Sequence, residues 1–130
     1  VGKVYNIADT QTVGHGAAVA YYGPKGGGEA LHLGEWEQAT LALDLDVGDG
    51  SESVVITVEG KADADGDWFT MPFHDLAAAA DQWVQATSKT LTADATKALC
   101  LVTVWVPYLR VGVDNNGAND CLVTAHLITQ

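Results

Sequence analysis

Two neighbouring stretches of this chain share one alternating grammar. They are Leu41-Ala42-Leu43-Asp44-Leu45-Asp46-Val47 and Val54-Val55-Ile56-Thr57-Val58-Glu59-Gly60, separated by a short segment containing Gly48-Asp49-Gly50-Ser51. Leu41, Leu43, Leu45 and Val47 project to one side while Asp44 and Asp46 project to the other, which is the period of a strand with one dry and one wet face. A helix would scatter the same leucines around its circumference. The shared parity predicts a core containing Leu41, Leu43, Leu45, Val47, Ile56 and Val58, and the glycine-rich turn predicts that the two strands form a hairpin.

Further β segments follow the same logic. Val4 to Asp9 reads as a short strand or an extended arm, Ala17 to Tyr22 as a strand, and Trp68 to Met71 as a short strand ending at Pro72. Thr87 to Thr92 suits an edge strand, where an exposed Lys89 discourages pairing with other chains. Leu99 to Val106 is dense with β formers until Pro107 interrupts its ladder. Tyr108 to Val113 resumes it, and Cys121 to Ile128 closes the chain after the Asn116-Gly117 reversal. Asp75 to Trp83 is helix-like, with Asp75 placed to cap a run of alanines; a loop on the sandwich edge is the competing reading.

Many short strands without helical crossovers predict an all-β fold, a two-sheet antiparallel sandwich that is jelly-roll-like or immunoglobulin-like. The Cys–Trp–Cys spacing of immunoglobulin domains is missing, because Trp105 follows closely on Cys100. At 130 residues the chain makes one compact domain. Within it, residues 1–35 are read as an N-terminal extended arm, a first strand and the Gly-rich loop Gly23–Gly28, and residues 36–130 as the sandwich core.

Charge narrows the partners. Asp plus Glu number 17 against 6 Lys plus Arg, for a formal net charge of -11. Such a chain repels a phosphate backbone, so no direct nucleic-acid binding is expected. No stretch approaches the roughly 20 apolar residues that span a bilayer, so no membrane role is expected either. Val1 to Asn6 carries neither the charged-then-apolar pattern nor the cleavage site of a secretory leader. Cys100 and Cys121 are the two cysteines; a disulfide between neighbouring strands and a pair of free thiols both fit.

Candidate sites are weighed against simpler explanations. Asp63, Asp65 and Asp67 alternate around Gly66 as at the start of a calcium loop, but the twelfth position is His74 where an EF-hand needs glutamate. A solvated turn explains them as well, and the same holds for Asp114, Asn116 and Asp120. The glycines after Gly23 lack the Lys-Ser/Thr closure of a phosphate cradle. His15, His32, His74 and His126 have no partner at zinc-ligand spacing. His74-Asp75 with Ser88 suggests a hydrolase, yet no serine occupies a nucleophile elbow. The chain is therefore read as a non-enzyme without cofactor, calcium being the one cation considered. Val4, Tyr5, Tyr21, Tyr22 and Trp83 are the candidates for contact with a partner. Exposed tryptophans and tyrosines also suit sugar rings, which keeps a carbohydrate-binding or adhesion module as the alternative.

The succession Ala39 to Val47, Val55 to Gly60, Asp65-Gly66-Asp67-Trp68 and Tyr108-Leu109-Arg110-Val111 resembles the small β-sandwich structural proteins of tailed bacteriophages. The likeness runs over roughly residues 36 to 129. It implies a virion structural protein on the outer capsid surface, a decoration or cement protein binding the major capsid protein and copies of itself as a homotrimer, or else a head–tail or tail accessory. It also implies that Tyr108 and Arg110 are structural residues of a sheet.

Overall fold

The computed structural model describes residues 3–16, 18–23, 38–46, 53–63, 65–75, 85–92, 94–101 and 106–130. Among them run ten strands: β1 (Lys3–Val13), β2 (Ala20–Tyr22), β3 (Ala39–Asp46), β4 (Val54–Lys61), β5 (Phe69–Thr70), β6 (Phe73–Asp75), β7 (Lys89–Leu91), β8 (Ala95–Leu101), β9 (Tyr108–Asn115) and β10 (Cys121–Thr129). Sheet I has the order β1-β10-β3-β8-β6; sheet II has the order β2-β9-β4-β5, with β7 also paired to β4. All the pairings are antiparallel.

The pairing is nested. β1 pairs with β10, β2 with β9, β3 with β8 and β4 with β7. One long antiparallel ribbon is thus rolled so that successive pairs fall in alternate sheets, with β5 and β6 near its tip. This is a jelly-roll winding, which decides between the two sandwich topologies that the strand count allowed.

The dry faces meet between the sheets. Sheet I contributes Leu41, Leu43, Leu45, Leu99, Val123 and Leu127, and sheet II contributes Val54, Ile56, Val58, Leu109, Val111 and Val113, all buried. Each such side chain stabilises the fold by about 1.5–3 kcal/mol relative to exposure. Five of the six expected core positions are therefore core; Val47 lies outside the described residues, as do Trp36, Trp83, Trp105 and His32.

The expected hairpin between the two alternating segments does not form. β3 lies in sheet I between β10 and β8, whereas β4 lies in sheet II beside β9. A period of two specifies which face is dry and leaves the neighbour open. Here the two dry faces oppose one another across the core. The Asn116-Gly117 reversal likewise joins strands of different sheets.

The N-terminal segment is a strand of sheet I, paired with β10 from Lys3↔Thr129 to Val13↔Cys121. Most of the Gly-rich loop and the alanine run after Asp75 lie outside the described residues. Asp75 itself ends β6, and its carboxylate sits 2.8 Å from Lys89 Nζ and 3.7 Å from Lys97 Nζ. Cys121 is buried and Cys100 half-buried, and neither is in a disulfide. β3 separates their strands, and their parities place them on opposite faces of sheet I, so they do not form the disulfide that neighbouring strands would have allowed.

Candidate partner-binding surface

The edge strands β1 and β2 flank a cavity of about 330 Å³. Its floor comes from an irregular stretch of β1. From Asn6 to Ala8 the strand advances two residues while β10 advances one, from His126 to Ala125; from Ala8 to Gln11 it advances three against two. Each extra residue is a bulge, a device that bends an edge strand and re-aims its side chains. Thr10 sits at φ 47°, in the left-handed region that costs a β-branched residue most. Its N–H donates to Thr124 Oγ1 at 3.3 Å, and the Gln11 amide donates to the Asp9 carbonyl at 3.1 Å. Tyr21, Tyr22 and Gly23 form the opposite wall. Burial pushes the Tyr22 phenol above its ordinary pKa, and the neighbouring Cys121 sulfur adds to the shift.

Tyr21 also belongs to a row of rings and cations on the outer face of sheet II. The Arg110 guanidinium lies 3.6 Å from the Tyr21 ring centre and 4.3 Å from that of Trp68. Lys61 Nζ lies 4.6 Å from the Trp68 ring and 5.4 Å from the Tyr108 ring. Arg110 Nε donates to Glu59 Oε1 at 3.1 Å across the β4–β9 ladder. The row holds together because these residues alternate outward from strands whose inward residues are Leu109, Val111, Ile56 and Val58. Gly112 makes room for it: a Cβ there would lie 2.5 Å from Thr57 Oγ1 and 3.2 Å from the Tyr21 ring. Trp68 is half-buried in this row and Phe69 is 44% exposed.

Of the partner candidates read from sequence, Tyr21 and Tyr22 line the cavity. Val4, at 66% exposure, and Tyr5, packed against the core, precede the bulge on β1. Trp83 lies outside the described residues. Asn6, Asp9, Gln11, Trp68 and Lys61 carry no local pattern that marks them, because bulges and cross-strand neighbours depend on pairings between distant segments.

The other candidates are accounted for by local structure. Asp63 accepts the Asp65 N–H at its carboxylate at 3.1 Å and the Gly66 N–H at its carbonyl at 3.1 Å, and Asp63, Asp65 and Asp67 are all exposed. Among the described residues, no three His, Cys, Asp or Glu side chains converge as metal ligands. Asp120 is held by His15, whose backbone N–H and ring Nδ1 lie 3.1 and 3.0 Å from one carboxylate oxygen. The Asp75 carboxylate is engaged by Lys89 and Lys97, at 2.8 and 3.7 Å. Among the described residues, no helix is long and apolar enough to cross a membrane.

No protein-family model matches the chain, and no curated protein matches it. Among solved structures, the SPBc2 prophage-derived protein YomS matches with a TM-score of 0.59 at 10% identity, over 100% of this chain and 94% of that one. The CBM22-1–GH10 modules of Clostridium thermocellum endo-1,4-beta-D-xylanase 10B, complexed with xylohexaose, match with a TM-score of 0.47 at 11% identity, over 98% of this chain and 26% of that one. The second likeness is too distant to carry an argument. The first is a likeness of fold, and it runs the length of both chains.

Proposed function

We propose that this protein is a structural component of a bacteriophage particle, a decoration protein that binds the major capsid protein on the outer surface of the head and associates with itself as a trimer. The observation that carries this reading is the end-to-end likeness of fold to a prophage-derived protein of nearly the same extent. The acidic surface, with a net charge of -11, adds support, since it favours a cationic protein surface over nucleic acid. The role proposed is attachment rather than catalysis.

Incubation of the purified protein with isolated heads and with isolated tails tests the reading. Saturable attachment to heads, with density at symmetry-related positions in an averaged image, is the expected result, and light scattering of the free protein should report three copies. Attachment to tails alone would make it a tail accessory. Saturable glycan binding that is lost on Tyr21→Ala, without attachment to any particle, would replace the reading with a carbohydrate-binding module. Two ring contacts argue against that outcome: the Arg110 guanidinium already lies over the Tyr21 and Trp68 rings that a sugar would need.

A further inference from the structure

We propose that the cavity between β1 and β2 receives a lysine or arginine side chain of a partner protein, carried on an extended segment that lies along the open edge of β1. This deepens the assembly reading above by naming the mode of attachment.

Three independent features converge on a cation. Among the described residues, Asp9 is the one charged residue lining the cavity, and its neighbours Asn6 and Gln11 carry amide oxygens. Tyr21 and Tyr22 supply aromatic walls, and aromatic faces attract ammonium and guanidinium groups. Arg110 already lies over the Tyr21 ring at 3.6 Å, so the ring left for the incoming cation is that of Tyr22. The chain as a whole carries a net charge of -11, which favours a cationic partner.

An extended carrier follows from the edge. β1 is the terminal strand of sheet I, so its side away from β10 is open among the described residues. The stretch Lys3 to Asn6 pairs regularly with β10, and the irregularity begins immediately after Asn6. A strand added to β1 would therefore run beside Lys3–Asn6 and stop at the bulge, where the cavity opens. Main-chain hydrogen bonds would supply affinity and the seated side chain would supply specificity. A second copy of this chain offers few side chains of the right sign, with 6 Lys plus Arg against 17 Asp plus Glu.

Three capped eight-residue peptides of alternating threonine and valine, with lysine, norleucine or glutamate at one central position, test the site directly. They are titrated into the isotope-labelled full chain and followed by amide chemical shifts. The lysine peptide should shift residues 4–11 and 21–23 saturably, norleucine should bind about tenfold more weakly, and glutamate should not bind. Asp9→Asn should weaken the lysine peptide about tenfold and Asp9→Lys should abolish its binding, with the spectrum of the free protein otherwise intact because Asp9 is exposed. Equal binding of the three peptides, shifts confined to other surfaces, or indifference to Asp9→Lys would overturn the proposal. Failure of the wild-type protein to attach to any particle, with peptide binding intact, would instead overturn the assembly reading and leave this site standing.

Discussion

Asn115 shows how much a single side chain can hold in a sandwich. It is 1% exposed, at the end of β9, and its amide nitrogen donates to the Val13 carbonyl at 3.0 Å and to the Asn119 carbonyl at 2.8 Å. Its amide oxygen accepts the Gly117 N–H at 3.0 Å, so one residue ties the end of β1 to the turn before β10. Asn115→Asp keeps the shape and sets an oxygen against two carbonyl oxygens. The expected cost is about 1–3 kcal/mol or more at neutral pH, read from urea unfolding. The deficit relative to wild type should shrink on acidification, when the new carboxyl gains a proton and regains a donor. Nearby, the His15 ring nitrogen and backbone N–H hold the Asp120 carboxyl below its ordinary value. A carboxyl whose folded pKa is depressed contributes stability above its unfolded pKa and loses that contribution as pH falls through the folded one. Asp120→Asn should therefore flatten the acid limb of the stability curve below about pH 4, slightly, because the pair is exposed. In the sequence Asn115 looks like one more turn residue among several. Its role appears only when Val13 is brought beside it from the other end of the chain.

The strands themselves were legible to different degrees, and the reason is physical. β3 and β4 alternate buried and outward residues along their length, so parity alone identified Leu41, Leu43, Leu45, Ile56 and Val58 as core. Parity says nothing about partners, and so a hairpin was expected where the chain crosses between sheets. β1 is the least legible, because its bulges break the period: Ile7 and Ala8 are adjacent and both buried. The strain there is concentrated at Thr10, with φ 47°. Asparagine tolerates the left-handed region and lacks the branched Cβ, while avoiding the chain entropy of glycine. Thr10→Asn should stabilise the protein by about 1 kcal/mol, seen as a higher urea midpoint with an unchanged slope. An unchanged or lower midpoint would mean that the contact of Thr10 Oγ1 with Thr124, at 3.4 Å, outweighs the backbone strain.

At the scale of the whole molecule, the winding makes the two ends of the chain into one piece of structure. Lys3 pairs with Thr129 and Val13 with Cys121, so β1 is both an edge that a partner could use and a wall of the core. Ile7, Ala8 and Val13 are buried through it, and it covers the flank of β10 from Cys121 to Thr129. A detachable arm would melt away from such a sheet without consequence, whereas this strand would not. Removing residues 1–10 should lower the stability by at least about 3 kcal/mol, since a buried isoleucine, part of an edge ladder and the cover over Ala125 and Leu127 are lost together. Thermal and urea unfolding followed by far-UV circular dichroism would measure the loss, and a melting curve superimposable on that of the full chain would contradict it. Particle attachment by the truncated protein is therefore a poor test of the edge, because loss of the site and loss of the fold would coincide. Asp9→Lys separates them: it reverses the charge lining the cavity at an exposed position and leaves Ile7, Ala8 and the β1–β10 ladder in place, so attachment should fail while the melting temperature holds.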